Sequence, residues 1–185
     1  MPAWWPRNRR GGLHRSGHRG FTLVELLLVV GIIVVLAGIA FPAIVAVRKA
    51  SVSTACLSNL RHLAMAFQQY GMAGNGDMPD PFLNKKSWEA SLTPYVPDLK
   101  MFICSADAEV APAIGSSYDW RDTAKADTTL AGRQLTSVRR SEAVLVFDAL
   151  PGWHGKRRIN VALIDGSTRQ MDEQDCFKDL GTPIR

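Results

Sequence analysis

Between Leu26 and Val47 the sequence runs for 22 residues, LLLVVGIIVVLAGIAFPAIVAV, without one charged side chain. As a helix rising about 1.5 Å per residue, such a run is about 33 Å long, enough to cross a hydrocarbon core of about 30 Å. A buried core helix is rarely apolar on every face for six turns, as this run is. The run therefore predicts a membrane span. An ordinary cleaved secretory signal fits poorly, because its apolar region is about 7–15 residues and ends in a small-x-small site. The best such site, Gly38-Ile39-Ala40, lies inside the run with Pro42 just beyond it.

Charge gives the span a direction. The 185-residue chain has 22 Lys+Arg against 17 Asp+Glu, a formal net charge of +5. Arg7, Arg9, Arg10, Arg15 and Arg19 all precede Phe21 with no acid among them, and the rest of the chain balances at 17 and 17. The positive-inside rule keeps this N-terminal stretch in the cytoplasm and exports the part of the chain beyond the span. A basic chain raises the question of nucleic acid, but an exported part with no net charge carries little of that signal. The short basic runs Arg139-Arg140 and Lys156-Arg157-Arg158 lack interleaved aromatics and read as solvated surface, so no nucleic-acid partner is expected. A charged fraction of 21% and a mean hydropathy close to zero exclude a disordered chain and a multi-span protein.

Two residues stand out in and beside the run. Glu25 puts a carboxylate at the edge of a membrane helix, where it either sits solvated in the first turn or needs a cationic partner. An amino terminus created by cutting before Phe21 would be such a partner. Pro42 removes one backbone donor and presses on the carbonyl of Gly38, which leaves room for a kink or a locally unwound turn.

Arg19-Gly20-Phe21-Thr22-Leu23-Val24-Glu25-Leu26-Leu27 resembles the processing motif of type IV pilins and type II secretion pseudopilins. The resemblance implies that a membrane-embedded prepilin peptidase cuts after Gly20 and N-methylates Phe21. It further implies that Glu25 neutralises the terminal amine of a neighbouring subunit during assembly, and that Pro42 belongs to a helix that bends. The leader, at 20 residues, is longer than the shortest in the family.

Beyond the span, Val52, Cys56, Leu60, Leu63, Phe67 and Tyr70 recur at three- and four-residue steps, an amphipathic stripe that ends at Gly71. One helix is thus predicted from Phe21 to Tyr70, half for lipid or a filament core and half to back a soluble domain. Ser87 to Leu92 reads as a short capped helix. Residues 105–137 show no sustained period and read mostly as loop. Residues 143–149 and 158–164 have buried-strand composition, and Asp165-Gly166 is the turn of a hairpin into 167–171. The expected fold is α+β and pilin-like: a long N-terminal helix packed on a small antiparallel sheet. Its organisation is a leader over 1–20, a transmembrane and assembly helix over 21–50, and an exported domain over 51–185 that includes the helix's second half, 51–70.

The exported part extends the resemblance. Cys56-Leu57-Ser58-Asn59-Leu60, Trp88 with Leu92-Thr93-Pro94-Tyr95, Cys104-Ser105-Ala106-Asp107, and His154 followed by Asp165-Gly166 are similar to marks of one large pseudopilin-like group. The gap between His154 and Asp165 is one residue longer than usual there, and Ser105 stands where proline is common.

Other candidate sites are weaker. Cys56 and Cys104 could form a disulfide pinning the middle segment to the helix or stay as buried thiols, and Cys176 is left over. No Cys-x-x-Cys appears, so no zinc site is expected. Asp165 and Asp172 are hard-oxygen candidates for calcium, as in major pseudopilins, though their spacing matches no calcium loop. His154 with Asp148 and Asp165 invites a catalytic or metal reading, but His62 is the only other histidine beyond the leader and no activated-serine elbow or phosphate-binding loop accompanies them, so catalysis is not expected. Beside Trp153 and Gly155-Lys156-Arg157-Arg158, His154 reads as part of an exposed basic turn.

The sequence therefore reads as a prepilin-like pseudopilin, without cofactor, for a type II secretion pseudopilus. Its expected partners are a prepilin peptidase, other pseudopilin subunits, the assembly platform and the inner membrane itself. The alternative is a minor type IV pilin for adhesion or DNA uptake. A membrane-anchored envelope enzyme or binding protein would need a constellation the sequence lacks.

Overall fold

The computed structural model describes residues 21–74, 76–80 and 86–184, so the leader over 1–20, Gly20 included, lies outside the described residues. Helix α1 spans Leu23–Ala73, three residues past the end that the apolar stripe marks. Its first turn is closed by a reciprocal cap. The Thr22 backbone N–H donates to Glu25 Oε2 at 2.9 Å, and the Glu25 N–H donates to Thr22 Oγ1 at 3.2 Å. The helix continues unbroken through Pro42, with no unwound turn after Gly38.

The chain forms two compact units divided between Ala43 and Ile44. In the first, every described residue from Phe21 to Ala43 is exposed. Among the described residues α1 is the one helix long and apolar enough to cross a membrane.

The second unit holds a four-stranded antiparallel sheet in the order β1 (Tyr118–Trp120), β2 (Val144–Asp148), β3 (Arg158–Leu163), β4 (Thr168–Asp172). The β3–β4 hairpin turns at Asp165-Gly166, where Gly166 takes the left-handed conformation that a side chain would resist. β2 is buried along its whole length, and a register shift between Val144 and Val146 brings Leu145 and Val146 into the same cluster. They join Tyr118, Trp120 and Ala162 against Leu60, Leu63 and Phe67 of α1. Phe67 is the hub of that face, stacked on Trp120 at 5.1 Å and on Trp88 at 5.8 Å between ring centroids. Trp88 opens the short helix α2 (Trp88–Leu92), capped by Ser87 as its sequence predicts.

The sequence predicts a helix on the sheet, and the structure covers the sheet's other face as well. Val144, Phe147, Ile159, Val161 and Leu163 pack against Cys176 and Leu180. These two residues belong to a helix over Glu173–Leu180, here α4, the short α3 being Val110–Ile114. Asp172 caps α4 by accepting the Gln174 N–H. The pilin-like α+β fold is thus a sheet between α1 and a small second helix.

Behind α4 lies a buried ion pair. The Arg121 side chain is 0% exposed and sits 2.7 Å from Asp179 Oδ1. Its remaining donors reach the carbonyls of Thr128, Asp179 and Thr182 at 2.7–2.8 Å. Burial opposes ionisation of Asp179, but the Val144 N–H, Arg121 and Arg140 outweigh it and hold the carboxyl below its ordinary range. Removing one partner of a buried pair costs about 3–5 kcal/mol, so Asp179→Ala should lower stability by about 3 kcal/mol at neutral pH. A depressed carboxyl stabilises the fold above the unfolded-state value and stops doing so as it becomes protonated. The gap between variant and wild type in chemical denaturation should therefore narrow as pH falls below the ordinary carboxylate range.

Candidate functional site

Two regions carry the residues singled out from the sequence, and each is described within its own unit. The first is the start of α1. Phe21 is exposed just outside the first helical residue, and Glu25 lies in the first turn, its carboxylate held by the Thr22 N–H and by Thr22 Oγ1 at 2.8 Å. After Glu25 every residue as far as Val47 is apolar and exposed. Phe21, Glu25 and Pro42 thus share one helical stretch, and Gly20 lies outside the described residues. A surface this apolar is out of place in water and needs lipid or other helices around it.

The second region lies between α1 and the sheet. Cys56 of α1 and Cys104 are joined by a disulfide with their Cα atoms 5.5 Å apart, closing a separation of 48 residues. The segment carrying Cys104 is fixed by its own hydrogen bonds. The Cys104 N–H donates to Ser117 Oγ at 2.8 Å, and that hydroxyl donates to Asp107 Oδ2 at 2.7 Å. Asp107 also accepts the N–H groups of Glu109, Val110 and Ala111 at the start of α3. Although it loses some hydration, these donors keep its carboxyl below the ordinary value. That is a physical reason for the Asp three residues after Cys104.

His154 departs from the sequence reading. Its neighbours Gly155, Lys156, Arg157 and Arg158 are exposed, as a basic turn should be, yet its imidazole is 0% exposed. Nε2 lies 3.2 Å from Cys104 Sγ and 3.7 Å from Asp148 Oδ2. Asp148 closes β2 with its side chain 1% exposed, and burial pushes its carboxyl up to about 7 although the Asn160 N–H donates to it. Burial also pushes the His154 imidazole below its usual value. Asn160 and Gln170 extend the polar cluster to Ser53 of α1 through contacts of 3.3–3.5 Å. A cleft lined by Lys49, Ser53, Trp153, His154 and Gln170 opens beside it.

The sequence pairs Cys56 with Cys104 and, apart from them, sets His154 beside Asp148; the structure brings the two pairs together, which the sequence does not show. A carboxylate ending a strand buried on every residue was the available signal, since such a group needs a specific partner. Asp165 and Asp172 do not come together. Asp165 accepts the Ser167 N–H in the hairpin turn, whereas Asp172 caps α4 at the far end of β4. Cys176 is a free, buried thiol on α4, which burial pushes up to about 12, far from thiolate reactivity.

Residues 15–41 match the family model of the prokaryotic N-terminal methylation motif, the signal of type IV pilins and pseudopilins. The chain carries that signal on the helix whose apolar half is unburied, so the motif and the pilin-like fold agree. The motif implies processing by a prepilin peptidase and assembly with other pilin-like subunits, and together with the apolar helix it fits a membrane-anchored protein. The match ends at Phe41 and does not reach His154 or Asp165-Gly166. No curated protein and no solved structure matches the chain.

A cross-link closing a loop of 48 residues removes unfolded-state entropy worth about 4 kcal/mol on the chain-entropy relation. Reduction in the presence of a chelator should therefore lower the stability of the second unit by up to about that much. Cys56→Ala combined with Cys104→Ala should abolish the redox difference, read as equal denaturation midpoints with and without reductant.

Proposed function

We propose that the chain is a pseudopilin of type II secretion, anchored in the inner membrane with its N-terminus in the cytoplasm and its globular domain exported. It is cut between Gly20 and Phe21, and the new terminus is N-methylated. The processed subunits polymerise through α1 into a short filament that acts by mechanical extension, without bond chemistry of its own. The observation that carries this reading is one helix bearing the methylation motif, Glu25 in its first turn and an apolar surface with no protein cover. The assembly platform is the remaining partner the reading requires.

The Glu25 carboxylate supports the assembly step. It sits where two donors already hold it, so an incoming terminal amine meets an oriented acceptor. Lipid lowers the dielectric around such a pair and strengthens it.

Mass spectrometry of the terminus after co-expression with a prepilin peptidase should find N-methyl-Phe21, and a wholly intact Met1 terminus would refute processing. Glu25→Ala should insert in the membrane as the wild type does but yield at least tenfold less filament in an assembly assay. Unchanged filament yield would remove the pairing role.

A further inference from the structure

Four side chains that filament assembly does not use converge between α1 and the sheet. One ligand atom from each of Cys56, Cys104 and His154 lies within 4.8 Å of the other two. Asp148 Oδ2 is 3.7 Å from His154 Nε2, and both side chains are cut off from solvent. The remaining atoms of this pair, Asp148 Oδ1 and His154 Nδ1, are buried without a hydrogen-bond partner. With the disulfide closed, neither tautomer of His154 resolves this. A proton on Nε2 serves Asp148 or the sulfur and strands the Nδ1 lone pair. A proton on Nδ1 is itself stranded, and the Nε2 lone pair then faces the lone pairs of sulfur and carboxylate. Buried groups left this way are costly and call for an explanation, an absent ion among them.

We propose that the dithiol form of this chain binds one zinc-type divalent ion through Cys56 Sγ, Cys104 Sγ and His154 Nε2, with a carboxylate oxygen of Asp148 as fourth ligand. Two thiolates, an imidazole and a carboxylate are a donor set suited to a tetrahedral ion without redox chemistry of its own. The four come from α1, the segment before α3, the end of β2 and the loop after it, so only Asp148 and His154 lie near each other in the sequence.

The ion and the disulfide exclude one another, because each uses both sulfurs. Opening the disulfide takes two electrons and two protons from a dithiol reductant, which leaves as its own disulfide. Capture of the ion then releases the two thiol protons. A zinc–sulfur bond of about 2.3 Å in tetrahedral geometry sets the sulfurs about 3.8 Å apart. Backbones whose Cα atoms are 5.5 Å apart can accommodate this by side-chain rotation. Either closure ties the segment before α3 to α1. A chain is made with its cysteines as thiols, so the ion holds this contact before an oxidising compartment replaces it with a covalent bond.

The test uses the full chain in detergent, purified oxidised, reduced with a phosphine without oxygen, and titrated with Co²⁺. Reduced wild type should develop tetrahedral cobalt absorption with thiolate charge-transfer bands that saturate at one equivalent and vanish when Zn²⁺ is added. The oxidised chain should develop neither. His154→Gln and Asp148→Asn should each weaken binding by about tenfold or more, whereas Cys176→Ser should change nothing. The oxidised variants retain the disulfide, so their circular dichroism reports folding independently of the ion. Absence of the charge-transfer bands in reduced wild type, or equal affinity in folded His154→Gln, would overturn the proposal.

Discussion

The face of α1 that runs from Cys56 through Leu60 and Leu63 to Phe67 is the contact on which the globular part depends. Those four residues are at most 1% exposed. Cys56 is bonded to the middle segment, Leu60 and Leu63 meet the sheet, and Phe67 stacks on two tryptophans. Fully burying a side chain of this size contributes about 1.5–3 kcal/mol. A helix that is all apolar in one half has no spare polarity with which to build a second face there. The change to an amphipathic stripe after the span therefore decides where a domain can form.

The second organising constraint is the strand β2. Buried on both faces, it needs cover on both, and α4 supplies what α1 cannot. Arg121 and Asp179 fasten α4 to the sheet, and the Asp179 carboxylate also takes the N–H of Val144, the first residue of β2. Charge here serves packing: the guanidinium satisfies carbonyls that would otherwise be stranded beneath the helix.

Those two constraints explain how much was legible in the sequence. The apolar run, the helical stripe, the Ser87 cap and the Asp165-Gly166 turn are local patterns, and each appears in the structure within a few residues of its reading. α4 was missed because Glu173–Leu180 contributes only Cys176 and Leu180 to the core, too few apolar positions to mark a period. Its start could have been found from Asp172, which looked like a cation ligand because capping and ligation ask for the same oxygen. The burial of His154 was beyond reach for a different reason. The four residues after it are exposed, and only the meeting of the chain at positions 56, 104 and 148 makes the pocket that holds it.

The cap at the start of α1 has a consequence of its own. Glu25 is already engaged by the backbone N–H and hydroxyl of Thr22, and both donors end on Oε2, so neither bond occupies Oε1. A cation can be taken up there without displacing either donor. The cap has already spent the rotamer freedom of Glu25 within the single subunit, so a later partner meets a side chain that no longer has to be ordered.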